Sequence, residues 1–255
     1  MYFNDVAVGY YVAITFIGLI VGKFVAWCNK RLPEKEKIFS KDFFSENKEG
    51  LRFNYVFMIL VAVLYDLILY RCGLNKSDFY QNLDLIKYMI LIPMLLLTFS
   101  IDTRYRIIPN RLTLTMFEFG LIMCFAYGIN NVNMAKEYIL GMLIGGAIFG
   151  VITLLGGIIA GKEAMGLGDV KFMLACGLYF WCNQILEVAL LAFFVGAIAS
   201  IVMLIVRNAI LKQKDDYIAF GPFLSLASLA CIFIQSGTIM NYFMVFCTYL
   251  SNKIF

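Results

Sequence analysis

The chain has 255 residues, of which 62% are hydrophobic and only 15% are charged, and its formal net charge is +4. Soluble domains are about half apolar and about one quarter charged, so this composition excludes an ordinary soluble globular protein. The apolar residues form long runs with few charges, which predicts a polytopic membrane protein. The chain contains no histidine, which excludes Ser-His-Asp catalysis and histidine-ligated zinc sites.

Eight apolar runs predict the fold class, an all-α membrane bundle of about eight transmembrane helices. Their predicted boundaries are 6–27, 53–70, 85–101, 112–129, 138–160, 170–184, 186–206 and 218–235. A shorter apolar tail at 239–250 is expected to lie on the membrane surface or against the bundle.

The distribution of Lys and Arg predicts the orientation of these spans. The loops after spans one, three, five and seven hold fifteen of these residues, and the loops on the other side hold five. Because basic residues are enriched in cytoplasmic loops, the first group of loops is predicted to be cytoplasmic. This topology accounts for the positive charge, so we expect no nucleic-acid partner.

The seven cysteines predict neither a disulfide framework nor a metal site. No two of them are spaced as Cys-x-x-Cys, and most lie in or beside apolar runs. Cysteine in such a run behaves as a small hydrophobic residue. We therefore expect no metal ion in this protein.

Two aspartates are the strongest functional signal, and each lies where an apolar run meets a loop. Asp102 opens the segment 102–110, and Asp169 ends a Gly-x-Gly-Asp motif formed with Gly166 and Gly168. The predicted topology places both aspartates on the cytoplasmic side. Two carboxylates in a poorly solvated site cannot both ionise, so one can act as base while the other acts as acid. The pair predicts an aspartyl protease with Asp102 and Asp169 as catalytic residues.

Neighbouring residues are predicted to support this pair. The two glycines are expected to form a tight turn, and the helix that follows should stabilise the Asp169 anion. The other candidates are Lys171, Pro109 and Asn110, together with Glu118 and Glu163 as indirect support.

In four segments the chain resembles the bacterial type IV prepilin peptidases, which are GxGD membrane aspartyl proteases. The segments are 18–33, 102–113, 163–171 and 220–224. The resemblance implies cleavage of the basic leader peptide of type IV prepilins or pseudopilins, at the cytoplasmic face of the bacterial inner membrane. It implies prepilin leader peptides and the lipid bilayer as partners, and no cofactor for proteolysis.

Many members of that family also methylate the new N-terminus, using S-adenosylmethionine as cofactor. Their first cytoplasmic loop often carries two Cys-x-x-Cys pairs, which this chain lacks, and Lys23 stands where they usually have serine. The cofactor is therefore expected only if methyl transfer is retained. The resemblance divides the chain into residues 1–84, a reduced counterpart of the methyltransferase region with spans one and two, and residues 85–255, a six-span peptidase domain.

Two other functions remain open at this point. Presenilin-like and signal-peptide-peptidase-like intramembrane proteases share the GxGD motif, but they usually carry Tyr-Asp in the first catalytic span. The pair Tyr65–Asp66 is predicted to lie at the opposite membrane face. A small ion-coupled transporter could instead use Asp66, Asp102 and Glu118 as an ion path.

Overall fold

The computed structural model describes residues 2–3, 6–33, 51–74, 78–160, 165–206, 219–234 and 236–254. A two-stranded antiparallel hairpin, β1 (Tyr2–Phe3) and β2 (Val6–Ala7), precedes the helices. The helices are α1 (Val8–Arg31), α2 (Leu51–Cys72), α3 (Phe79–Tyr105), α4 (Asn110–Asn130), α5 (Val132–Ala160), α6 (Leu167–Gly177), α7 (Cys182–Val206), α8 (Gly221–Phe233) and α9 (Thr238–Ile254). The all-α membrane bundle predicted from the sequence is confirmed.

Each of the eight predicted spans contains a helix, but not every helix is long enough to cross a membrane. Among the described residues, α1 to α5 and α7 have the required length and apolarity, and α8 with α9, bent by 105°, would make a seventh span. The described residues therefore provide six or seven such spans, compared with the eight apolar runs in the sequence. α6 has 11 residues and α8 has 13. At ~1.5 Å per residue such helices are shorter than the ~30 Å hydrocarbon core.

The short helix α6 packs antiparallel against α5, because glycines on α5 let the two backbones approach. A Cβ atom at Gly141 would overlap the carbonyl oxygen of Phe180, and one at Gly145 would lie 2.8 Å from the carbonyl oxygen of Met173. A Cβ atom at Gly150 would lie 3.9 Å from Val170, near the start of α6. Small residues of this kind permit close helix packing in lipid.

The helix α5 extends well beyond the start of α6. It continues from Gly150 to Ala160, which is ~15 Å along its axis at ~1.5 Å per residue. Ile158 and Ile159 in this extension are exposed and apolar, as expected for a surface that faces hydrocarbon. The start of α6 is therefore recessed behind the end of α5.

One end of the bundle contains an ion pair between a buried lysine and a partly exposed aspartate. The ammonium of Lys87 lies 2.7 Å from Oδ1 of Asp84 and donates to the hydroxyl of Tyr138 at 3.1 Å. Tyr127 donates to the same Asp84 oxygen, and Trp181 donates to Tyr138. A fully buried lysine is tolerated only with such partners. Lys87 and Asp102 lie fifteen residues apart on α3, so this cluster marks the end opposite to the predicted site.

Candidate active site

Four helix termini meet at the other end of the bundle and enclose a cavity of about 430 Å³. They are the end of α3 and the beginnings of α4, α6 and α8. Asp102 in the last turn of α3 and Asp169 in the first turn of α6 both line this cavity. Their exposed fractions are 4% and 9%. The structure therefore brings the two predicted carboxylates into one poorly solvated space.

The first turn of α6 determines how Asp169 is held. Gly166 is the N-cap residue of the helix, and Asp169 occupies the third helical position. The backbone N–H of Gly166 donates to the Asp169 carboxylate, and the N–H of Asp169 donates to the carbonyl oxygen of Gly166 at 3.0 Å. The bond from the N-cap N–H to the side chain at the third helical position is one half of a capping box, and glycine has no side chain to form the other half. The side chain is thereby fixed at the positive end of the helix dipole, which favours its anion.

Burial nevertheless raises the pKa of Asp169 to about 7, and the neighbouring charge of Asp102 contributes in the same direction. The hydrogen bond from Gly166 acts in the opposite direction but is the smallest of the three effects. Removal of a carboxylate from water and proximity to a second carboxylate both disfavour the charged form. The pair can consequently hold one proton near neutral pH.

Asp102 is held by the N-terminus of a different helix. The backbone N–H of Gly221, the first residue of α8, donates to its carboxylate. A Cβ atom at Gly221 would lie 2.5 Å from Oδ2 and 2.9 Å from the carboxyl carbon of Asp102. Only glycine therefore fits at this position. The resemblance included Gly221 in a matching segment, but only the structure shows that it contacts a predicted catalytic residue.

The chain between α3 and α4 completes the cavity wall. Arg106 ends α3 in the left-handed conformation (φ 56°), and its N–H donates to the carbonyl oxygen of Asp102 at 2.9 Å. A left-handed residue at a helix C-terminus reverses the chain direction, which turns Ile108 inward. A Cβ atom at Gly168 would lie 3.4 Å from Ile108, and one at Gly221 would lie 3.2 Å from it. Ile108 therefore forms an apolar contact between the starts of α6 and α8.

The supporting residues predicted from the sequence have different locations. Gly166, Gly168 and Asn110 line the cavity. Lys171 lies at its edge, where Nζ donates to Oδ1 of Asn110 at 3.1 Å and links α6 to α4.

Two other predicted supporting residues, Pro109 and Glu118, do not line the cavity. Pro109 is the N-cap residue of α4, with a φ of −64° that suits a proline. Glu118 is exposed on α4, and the structure does not bring it to the aspartates. Glu163 lies outside the described residues.

The expected tight glycine turn is wrong. Gly168 is part of helix α6, and Gly166 has φ −69° and ψ 139°, a conformation open to any residue. Among the described glycines only Gly73 and Gly237 have positive φ. A Cβ atom at Gly168 would lie 3.4 Å from Ile108, which is an ordinary van der Waals contact, so neither backbone strain nor a steric clash requires glycine there.

Sequence reasoning also missed several cavity residues. They are Arg106, Ile107, Ile108, Met165, Ser200, Ala219 and Phe220. Ser200 could not be predicted from a motif, because it lies within the apolar helix α7 and no motif surrounds it. A small polar residue in an otherwise apolar span was the available signal. Among the described residues, no group of three or more Cys, Asp or Glu side chains is arranged to bind a metal ion.

Comparison with known proteins agrees with this geometry. Residues 89–201 match the type IV leader peptidase family. The matched segment includes both aspartates, the whole of α4, α5 and α6, and most of α3 and α7. Helix α8 with Gly221 lies after the matched segment, so a residue outside it contacts Asp102.

Three curated relatives carry the name "Prepilin leader peptidase/N-methyltransferase". The protein from Xanthomonas campestris pv. campestris is 29% identical over 144 residues, 56% of this chain and 48% of the relative. The protein from Pseudomonas aeruginosa is 32% identical over 145 residues, which cover 52% of this chain and 46% of the relative. The protein from Aeromonas salmonicida is 33% identical over 137 residues, which cover 51% of this chain and 43% of the relative. The chain spans about half the length of these relatives, and no solved structure matches it.

Proposed function

We propose that this multi-pass membrane protein is an aspartyl endopeptidase that removes the basic leader peptide of type IV prepilins or pseudopilins. The observation that supports this most directly is the pair of buried carboxylates, Asp102 and Asp169, in one cavity. Each carboxylate accepts a backbone N–H from a helix N-terminus. The family of residues 89–201 and the names of the relatives support the substrate class.

The proposed reaction uses the two carboxyl groups and one water molecule. Asp102, ionised, accepts a proton from water while the water oxygen bonds to the scissile carbonyl carbon. Asp169, protonated, donates its proton to the carbonyl oxygen, which gives a tetrahedral intermediate. Collapse of the intermediate returns one hydroxyl proton to Asp169 and transfers the proton on Asp102 to the leaving nitrogen. The C–N bond breaks, and both groups recover their starting states, as general acid–base catalysis requires.

A direct assay tests this function. Purified protein in lipid nanodiscs is incubated with a model prepilin, and loss of the leader is followed on a gel and by mass spectrometry. We expect cleavage at one position, with no requirement for an added metal ion. Proton flux into liposomes that contain the protein provides a parallel measurement for the transporter function, and we expect none above that of empty liposomes. Flux without cleavage would contradict the proposal.

The two alternative functions receive less support from the side-chain positions. Asp66 of the Tyr65–Asp66 pair accepts hydrogen bonds from the hydroxyl of Thr15 at 2.9 and 3.0 Å, and it does not line the cavity. Glu118 is exposed on α4. Asp66, Asp102 and Glu118 therefore do not line a shared path.

The pH dependence of cleavage should reflect the shared proton. We expect kcat/KM to fall as the pH rises above about 7, because Asp169, whose pKa is raised to about 7, then loses the proton it must donate. Activity should also fall in acid, where protonation of Asp102 removes the base, so the profile should be bell-shaped. Initial rates between pH 4 and 9 (roughly the range spanned by carboxyl and coupled carboxyl groups) measure this profile.

A stability measurement over the same pH range provides a control. The free energy of unfolding, measured across the same pH range, separates loss of catalysis from loss of structure. A cleavage rate that keeps rising in alkaline solution would contradict the assignment of Asp169 as the acid.

We further propose that the protein lies in the bacterial inner membrane with the cavity facing the cytoplasm. Single cysteines introduced at Arg104, beside the cavity, and at Lys136, near the start of α5, test this orientation. Both positions are exposed. A membrane-impermeant thiol reagent applied to spheroplasts should modify position 136 and leave position 104 unmodified until the membrane is opened. The parent chain gives the background from its seven native cysteines, and modification of position 104 in intact cells would reverse the proposed orientation.

The described helices α1 and α2 leave no space between them for S-adenosylmethionine. Helices α1 and α2 pack directly on each other: a Cβ atom at Gly18 would lie 2.6 Å from Ala62, and one at Gly22 would lie 2.5 Å from Met58. The groove that α2 helps to form is apolar, whereas the cofactor carries a charged sulfonium, a carboxylate and a ribose. The first loop, residues 34–50, lies outside the described residues.

If methyl transfer depends on the two Cys-x-x-Cys pairs that the first loop of this chain lacks, the mature pilin should keep an unmodified amino terminus. The names of all three relatives include N-methyltransferase, so the comparison protein is the relative from Pseudomonas aeruginosa, tested with the same prepilin. Mass spectrometry of the processed pilin after co-expression distinguishes a free amine from a methylated one. An added methyl group with this protein alone would show that the short first loop supports the transfer.

A further inference from the structure

A second cavity lies on the membrane-facing side of the bundle, between α2, α3 and α8. It is a groove of about 470 Å³, and eleven residues line it, of which nine are apolar and two are serines. Leu95 on α3 is buried at its floor, while Leu60 on α2 and Leu226 on α8 are exposed at its rim. The groove is therefore mainly apolar, whereas the cavity that holds the two aspartates is lined by several polar and charged side chains.

The groove begins next to Asp102. On α3, Leu95 and Phe99 line the groove. Phe99 lies four residues after Leu95, and Asp102 lies three residues after Phe99, so all three share one face of the helix. On α8, Gly221 donates to Asp102, and Ser225 lines the groove one helical turn later. From Asp102 to Leu95 the groove extends ~10 Å along α3 at ~1.5 Å per residue.

The chemistry of the reaction indicates which part of a substrate reaches this groove. The inference rests on the proposed function, in which a basic leader is cut from a membrane-anchored protein. Basic residues are costly in the hydrocarbon, so the leader must lie on the aqueous side of the two aspartates. The anchored remainder must then leave the site toward the bilayer. The groove is the apolar surface that begins at Asp102 and runs in that direction.

We propose that this groove binds the apolar segment that follows the scissile bond of the prepilin. Helix association in lipid depends on close packing, since the lipid chains are as apolar as the side chains. Ser100 and Ser225 provide small side chains on the groove walls. The hydroxyl of Ser225 donates to the carbonyl oxygen of Pro222 at 2.9 Å, so it leaves no unpaired donor facing an apolar ligand. The groove length corresponds to about two turns of a helical substrate.

Groove-filling variants test the proposal. Leu60→Trp and Leu226→Trp add bulk at rim positions that are 39% and 42% exposed. Leu154→Trp on α5 is the matched control, because this leucine is also apolar and is 68% exposed on a surface away from the groove. Each variant is assayed with a full-length prepilin and with a short peptide that ends a few residues after the scissile bond.

We expect both groove variants to raise KM for the full-length prepilin about 10-fold with little change in kcat, which is the pattern of lost ground-state binding. KM for the short peptide should not change, and the control variant should behave as the parent protein with both substrates. An unchanged KM for the full-length prepilin in both groove variants would overturn the groove while leaving the peptidase intact. Equal losses with both substrates would also overturn it. Absence of cleavage by the parent protein would refute the proposed function itself.

Photo-crosslinking provides a second measurement that does not depend on turnover. A benzophenone amino acid at position 226 or 154 is introduced into the inactive Asp102→Asn protein, which is then mixed with the full-length prepilin in nanodiscs. Crosslinks to the apolar segment of the prepilin are expected from position 226 and not from position 154. Crosslinks from position 226 to lipid alone would show that the groove holds an acyl chain, and would overturn the proposal.

Discussion

Asp102→Asn and Asp169→Asn are each expected to reduce leader cleavage by at least ~10³-fold, the scale of general acid–base catalysis. Each substitution removes one of the two groups that share a proton in the cavity. Asparagine has nearly the same shape, and its carbonyl oxygen still accepts the N–H of Gly221 or of Gly166. The fold should therefore be retained. The measurement is the single-turnover rate of prepilin processing with excess purified enzyme.

Asp66→Asn is the matched control for both variants. Asp66 is also a carboxylate on a membrane helix, but it pairs with Thr15 away from the cavity. We expect this control to cleave at the parent rate. Thermal unfolding and size-exclusion chromatography establish that all three proteins are folded. Processing near the parent rate by either Asp102→Asn or Asp169→Asn would refute the catalytic assignment.

Gly221→Ala is expected to lower kcat by about 10²-fold, with little change in KM, because small displacements of a catalytic group have effects of this size. The added Cβ atom would lie 2.5 Å from Oδ2 of Asp102, so the carboxylate or the start of α8 must move. Gly221 does not touch the reacting atoms in this proposal but positions Asp102. The substitution should therefore also shift the acid limb of the pH profile, which depends on Asp102.

Gly157→Ala provides the comparison for this substitution. Gly157 lies on α5, where a Cβ atom would have no neighbour within 4 Å, and we expect parent activity. Unchanged kcat and an unchanged pH profile in Gly221→Ala would show that α8 does not position the carboxylate. Loss of folded protein would be visible in the unfolding measurement, and in that case the pH profile of the remaining folded fraction still tests the positioning role.

Residues beyond the segment that matches the family complete the wall of the cavity. The family match ends at residue 201, yet Gly221 and Phe220 at the start of α8 contact or surround Asp102. Phe220 also packs against Phe149 and Phe193, with ring centroids 6.3 and 5.6 Å apart. A chain truncated after α7 would therefore lack one wall of the cavity. This agrees with the proposed peptidase domain of residues 85–255, which remains a prediction.

The sequence by itself determined the fold class and the two aspartates. Long apolar runs are sufficient to predict membrane helices, because a backbone in lipid must satisfy its hydrogen bonds within each helix. Asp102 and Asp169 were identifiable because charged residues are rare at the ends of such runs, and the GxGD motif adds a local signal. These features depend on residues that are neighbours in the chain.

The tertiary structure alone decided which residues surround the aspartates. Helix α4 is apolar on all sides, so its periodicity could not show that Glu118 is exposed while Met116 and Gly120 are buried. The contact of Gly221 with Asp102 joins distant parts of the chain, and nothing near either residue predicts it. The structure alone likewise shows that α6 is short and lies against the glycines of α5. As a result, Asp169 lies well before the end of α5 along the axis of that helix. Contacts between helices, and not local hydropathy, determine where a helix ends relative to its neighbours.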